Sequence, residues 1–158
     1  MGYITTMSRA FVKDQEDAVE DLPERPVSTA PNLVTAEGLA AIEAEIASLT
    51  DAMAQAGEDR AERARIGRDL RYWAARRGSA HVMPVPSDAD TVHFGSTVTL
   101  DRDDGRHQVF RIVGEDEADP ERGTLSHVSP LAQALMGKSV GDTVRVAGHE
   151  LEIVKISR

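Results

Sequence analysis

The chain contains no cysteine, which excludes disulfides, a thiol nucleophile and any cysteine-based zinc site, and fits a reducing compartment. Aromatic residues make up only 4% against 41% hydrophobic residues overall, so the core must be aliphatic and modest. No stretch approaches the apolar length of a membrane span, and the opening residues MGYITTMSRAF lack the apolar centre of a signal peptide. No glycine-rich phosphate loop occurs. These absences predict a cytoplasmic protein with no membrane role. Positive charge is also in deficit, at a formal net charge of −9. Phosphates would meet a repelling average field, which argues against autonomous, salt-driven binding to duplex DNA.

The titratable residues do not assemble an active site. His81, His93, His107, His127 and His149 are scattered, with no i, i+4 pair and no metal-like spacing, and each reads as a surface residue. Ser126 and His127 are neighbours on an expected strand and so face opposite sides, which disfavours a nucleophile–base pair. The expectation is that the protein is not an enzyme.

A length of 158 residues fits one or two small domains, and the composition marks three regions. Residues 1–34 hold Pro23, Pro26 and Pro31 among Asp, Glu and Ser, and residues 14–24 are mostly acidic. That stretch predicts a flexible arm unable to bury enough surface to order itself. Met7 begins MSRAFVK, a more natural start than Met1.

Residues 35–82 predict an antiparallel helical hairpin. Leu39, Ile42, Ile46, Leu49, Met53 and Ala56 alternate spacings of three and four, the seam of a short coiled coil. Gly57 breaks the pattern. Asp59 then caps a second helix, with Glu62 three residues on in the manner of a capping box. Ile66, Leu70 and Trp73 continue the spacing, and so short a loop forces the helices antiparallel. Each helix of about 20 residues extends roughly 30 Å. Residues 60–77 hold seven arginines against Glu62 and Asp69, either a solvated helix face or a local basic surface within an acidic chain.

Residues 88–158 turn β-rich. Val92 to Leu100 alternates in part, Asp103-Asp104-Gly105 is a hairpin turn signal, and His107 to Val113 returns as a strand. Further strands are expected at Thr124 to Val128, Thr143 to Val146 and Glu150 to Ile156. In TLSHVSPLAQALMGKSVGDTV (124–144), Ser129 can cap a brief helix at 130–136, Pro130 suits its first position and Gly137 its left-handed end. The fold class predicted is α+β: a helical hairpin followed by a curved sheet carrying one helix.

That same run, together with FGSTVTL (94–100) and FRIVGEDEADPERG (110–123), resembles in order and spacing the C-terminal domain of the GreA/GreB transcription elongation factors, over about 92–156. RIGRDLRYWAARRGSAHVMP (65–84) is similar to the base of that family's second coiled-coil helix. The resemblance implies an FKBP-like domain docking on bacterial RNA polymerase beside the secondary channel, with the coiled coil reaching toward the active site. Prolyl isomerase activity is not expected, because Phe94 and Phe110 are too few to line such a pocket. By the same resemblance, Ser129, Pro130 and Leu131 contact the polymerase, while Arg60, Arg63, Arg68 and Arg71 line the channel or face RNA. Nucleic acid would be met only within the elongation complex, by a monomer.

The family's hairpin is longer, and its tip carries a loop like Gly-Asp-x-x-Glu-Asn-Ala whose two carboxylates help hold a magnesium of the polymerase and stimulate cleavage of backtracked RNA. Here the bend reads Gln55-Ala56-Gly57-Glu58-Asp59-Arg60, and that motif is absent. Asp51 and Glu62 lie nearby, and Glu58 and Asp59 are the carboxylates at the tip itself to consider for the metal; Asp59 doubles as a helix cap and Glu58 as a favourable charge at a helix N-terminus. No cofactor of the chain's own is implied, only magnesium shared with the polymerase. Two modes stay open: stimulation of transcript cleavage, or occupancy of the channel without cleavage, similar to the regulator of nucleoside diphosphate kinase.

Overall fold

The computed structural model describes residues 22–158, in two compact units. One combines residues 22–27 with Ile42–Gly78, the other Ser28–Ala41 with Ser79–Arg158. The Met7 start and most of the acidic run lie outside the described residues.

Helices α1 (Ala36–Gln55) and α2 (Arg60–Ser79) are 20 residues each. Cross-helix contacts run in opposite order along the two sequences. Arg77 Nε lies 3.6 Å from Glu43 Oε1, whereas Arg63 Nη1 donates to the carbonyl of Met53 at 3.3 Å. The pair is therefore antiparallel. Of the expected seam, Ile42 and Ile66 are buried; Ile46, Leu49, Met53, Leu70 and Trp73 are half-buried, as two helices alone enclose little. Gly57 takes φ 59° at the bend, the left-handed conformation that glycine tolerates at no steric cost. Asp59 Oδ1 accepts from the Glu62 amide at 3.1 Å. The other half of the capping box is not made: the Asp59 amide donates to the Ala56 carbonyl at 3.2 Å, and the Glu62 carboxylate pairs with Arg65.

The second unit opens with a two-residue strand, β1 (Leu33–Val34), parallel to β2 (His81–Val82). The stretch expected as a flexible arm through residue 34 is thus built into structure where it is described: Asn32, Val34 and Thr35 are buried. Its partners sit more than 40 positions away, beyond the reach of local periodicity. Five further strands form a mixed sheet: β3 (Thr97–Arg102), β4 (His107–Val113), β5 (Thr124–Ser126), β6 (Thr143–Val146) and β7 (His149–Ser157), in the order β5-β4-β3-β7-β6. Only β4 and β5 run parallel within it. Helix α3 (Pro130–Leu135) covers the sheet with Ala132 and Leu135, both fully buried. Val98, Leu100, Ile112, Leu151 and Ile153 alternate into the same aliphatic core. Val109 on the outer face stays 54% exposed, so one face alone is covered.

Three boundaries differ from expectation. The strand expected at Thr124 to Val128 ends at Ser126, so His127 lies in the following turn and not beside Ser126 on a strand. The strand predicted from Val92 begins only at Thr97. Val92 and Phe94 are buried anchors, but between them and the strand the backbone turns at Gly95 (φ 89°), whose amide donates to the Ile112 carbonyl at 2.8 Å. The β6–β7 connection is shorter than expected, because Ala147 (φ 52°) and Gly148 (φ 80°) complete a two-residue turn unaided. A β-bulge also bends the central strands: Thr99 pairs with Lys155 and Leu100 with Ile153, leaving Val154 as the extra residue.

Candidate functional site

The hairpin bend presents Glu58 and Asp59 as exposed neighbours. One oxygen of Asp59 is already engaged as the α2 cap. Arg63 closes the other side: its guanidinium donates to the carbonyls of Met53 and Gly57, both at 3.3 Å, where α1 ends, and the Met53 carbonyl also accepts from the Ala56 amide at 3.4 Å. Among the described residues no three His, Asp or Glu side chains converge as a metal site. Two carboxylates, one of them a cap, do not fit a metal held by this chain alone; they suit at most an ion supplied and mainly ligated by a partner.

The arginines of α2 divide. Arg60 and Arg63 lie at the bend. One to two turns further on, Arg68 and Arg71 flank Glu24, which approaches from the segment before β1. Arg71 grips Glu24 with both ends of its fork: Nε lies 2.9 Å from each carboxylate oxygen and Nη2 lies 2.6 Å from Oε1. That hydrogen bonding holds the Glu24 carboxyl below its ordinary value of 4.5 and raises Arg71. The next residue, Arg25, sets its guanidinium 3.9 Å from the centroid of Tyr72 and donates to Asp69 at 3.3 Å. Arg76, at 1% exposure, is the one arginine of the run that is buried. Nothing in local spacing signals that residues 24 and 25 would land on α2.

The Ser129 turn forms as its sequence predicts. Ser129 Oγ accepts from the Ala132 amide at 3.3 Å, and Pro130 occupies the first helical position, where no N–H is required. Pro130 is exposed, while Leu131 is half-buried against the core, so the three residues contribute unequally to any outer surface.

A second polar centre escaped sequence reasoning. Glu117, half-buried in the loop after β4, accepts from the Thr35 amide at 2.9 Å, from the Thr35 hydroxyl and from the Gly114 amide at 3.2 Å. Thr35 in turn caps α1, its hydroxyl accepting from the Gly38 amide at 2.9 Å. Two glycines make room. A Cβ on Gly38 would sit 2.2 Å from Glu117 Oε2, and one on Gly114 would sit 2.5 Å from the Leu33 carbonyl oxygen. The only sequence signal was the block GEDEAD itself, which says that an acid is there and nothing of its partners.

The histidines stay apart. His107 pairs with Asp101 and His93 with Asp88, each within its own loop or hairpin. His149 bridges Asp103 (Nδ1, 3.1 Å) and Arg102 (Nε2, 2.9 Å). Asp103 is held below its ordinary value, chiefly by the Glu150 amide and then by His149.

The family model described as "Transcription elongation factor, GreA/GreB, C-term" matches residues 86–158. Transcription elongation factor GreA of Desulfovibrio desulfuricans is 33% identical over 135 residues, covering 77% of this chain and 83% of that protein. GreA of Beijerinckia indica is 45% identical over 73 residues, but the match spans only 46% of its length and 43% of this chain. Among solved structures, a GreA/GreB elongation factor from Nitrosomonas europaea aligns with 80% of this chain and 99% of its own, at 19% identity and a TM-score of 0.41.

Proposed function

Because the chain belongs to the GreA/GreB family of transcription elongation factors, we propose that it binds bacterial RNA polymerase at the secondary channel and modulates elongation there. The observation that carries this is the 33% identity over 77% of the chain, more than the sheet domain alone could supply. In this reading the sheet unit is the FKBP-like docking module. Ser129, Pro130 and Leu131 form its contact, with exposed Pro130 the outermost, and the arginine face of α2 meets nucleic acid inside the elongation complex. The factor acts as a monomer in the cytoplasm, and the polymerase performs all chemistry.

Of the two modes, occupancy without cleavage fits the bend better. Glu58 and Asp59 are the only carboxylates there, and Asp59 is engaged in capping α2. A cleavage factor needs both acids free to hold magnesium beside the polymerase active site, where a second ion stabilises the attacking and leaving oxygens. The chain's own part is then steric and electrostatic: it fills the channel and sets arginines against phosphates.

A backtracked elongation complex tests this. With the purified protein added, the RNA should stay intact on a gel, and cleavage by an authentic Gre factor should be inhibited in proportion to occupancy. Shortened RNA that returns to full length with Glu58→Ala and Asp59→Ala would assign cleavage instead. Pro130→Glu should abolish the competition without changing thermal stability; unaltered competition would place the docking surface elsewhere.

A further inference from the structure

The second helix carries an anion seat that the chain itself fills. The two-pronged grip of Arg71 on Glu24 is the geometry with which arginine takes a phosphate as readily as a carboxylate. Beside it, Arg25 covers the Tyr72 ring at 3.9 Å and bonds Asp69 at 3.3 Å. Residues 24 and 25 therefore form a strap with two anchors of opposite sign: an anion on a guanidinium, and a cation on an aromatic ring and an acid. The first anchor is solvent-accessible, with Arg71 and Glu24 side chains 59% and 60% exposed, and pairs of that kind are weak and readily exchanged; the second is part-buried, with Arg25 and Asp69 side chains 35% and 30% exposed. What the strap covers is the combination that a single nucleic-acid strand uses, guanidinium for phosphate and aromatic face for base.

We propose that the Glu24–Arg25 strap is an intramolecular competitor, which occludes the Arg71–Tyr72 face of α2 until a single-stranded nucleic acid displaces it. Glu24 stands in for a phosphate and Arg25 for a stacked base. The strap would thus raise the threshold for nucleic-acid contact, restricting it to places where phosphate is locally concentrated. Because the competitor role rests on the proposal that α2 faces nucleic acid, its test must separate the two.

The full chain is titrated at low salt against a fluorescein-labelled single-stranded RNA of about 15 nucleotides. Trp73, the only tryptophan, lies 5.7 Å from the Arg25 guanidinium and reports the strap independently of RNA. Glu24→Gln should tighten RNA binding about fivefold, the scale of one exposed ion pair. The gain should vanish in an Arg71→Gln background and be absent from Glu45→Gln, the same charge change at an exposed position on α1. Trp73 emission should shift in Glu24→Gln and Arg25→Ala at unchanged helicity. An equal gain from Glu45→Gln, or one that survives Arg71→Gln, overturns the competitor. Unchanged Trp73 emission in both strap variants overturns the strap alone. RNA binding by no variant, with the Trp73 shift intact, removes the nucleic-acid reading and the competitor role with it.

Discussion

Substituting alanine for Gly38 should reverse the sign of its effect according to the residue at position 117. The three atoms nearest to a Cβ at Gly38 all belong to Glu117: Oε2 at 2.2 Å, Cδ at 2.4 Å and Oε1 at 2.8 Å. No rotamer change at position 38 relieves that contact, so the carboxylate must leave. It then gives up its bonds to the Thr35 amide, the Thr35 hydroxyl and the Gly114 amide. Hydrogen bonds to a charged group contribute about 1.5–3 kcal/mol each; the Thr35 and Gly114 donors are buried, but the half-buried acid regains water when it leaves, so the whole clasp is worth about 2–4 kcal/mol. Against this, alanine is favoured over glycine in a helix by up to about 1 kcal/mol. Gly38→Ala should therefore destabilise the otherwise unmodified chain by roughly 1.5–3 kcal/mol. In a unit of under 100 residues that lowers Tm by about 6–24 °C. In a Glu117→Ala background the obstacle is gone, and the same substitution should stabilise by about 0.5–1 kcal/mol. The double-mutant cycle, read by calorimetry and urea unfolding, should give a coupling of about 2–4 kcal/mol. Equal losses in both backgrounds would refute the clasp as the cause. Glu117→Gln, which keeps one acceptor oxygen, should fall between.

Other outcomes follow from the same geometry. Ala147 sits at φ 52° in a two-residue turn that prefers asparagine followed by glycine, so Ala147→Asn should stabilise by about 1 kcal/mol and raise Tm by several degrees; a lower Tm would mean that the backbone is not held left-handed there. Ser129→Ala removes the α3 cap and should cost about 1 kcal/mol in urea unfolding, with Ser129→Asp recovering most of it. Glu24, Glu37, Asp88 and Asp103 are all lowered from ordinary values of 4.5 or 3.8. Groups of that kind stabilise fully above the unfolded value and lose the contribution as pH falls through the lower folded value. Stability should be flat from neutral pH to about 5 and decline below about 4, the decline being shallower in Asp103→Asn. A decline already under way at pH 6 would point to a different titrating group.

The features legible in sequence were those whose cause is local. Ser129 and Pro130 announce a helix start through the needs of the next three amides, and Asp103-Asp104-Gly105 announces a turn through glycine's left-handed freedom; both formed where expected. The α1 and α2 seams were readable because a two-helix contact imposes its own period. What could not be read came from pairings across long sequence separations. Thr35 and Glu117 are 82 positions apart, and Glu24 reaches Arg71 across 47. Two residues of β1 are too few to show alternation, and Val92 and Phe94 are apolar because they anchor a turn, which mimics a strand in its spacing. The arginine run looked uniform in sequence, yet one side chain is buried, one closes the end of α1 and one holds the strap. Such assignments depend on what packs opposite, and periodicity is silent on that.

The two-residue parallel pair fixes where the helical hairpin is attached. Backbone bonds from His81 to Asn32 (2.8 Å) and from Met83 to Val34 (2.9 Å) tie the chain immediately before α1 to the chain immediately after α2. Everything between is an insertion whose two ends are clamped side by side within the sheet unit. Closing a loop depends only weakly on its length, so residues can be added to or removed from the bend end at little cost to the host. The hairpin behaves as an interchangeable cassette: lengthening both helices by matched turns, or grafting a different bend, should leave the sheet unit's register and core untouched. Evolution could thus tune how far the helices extend while the host stays constant.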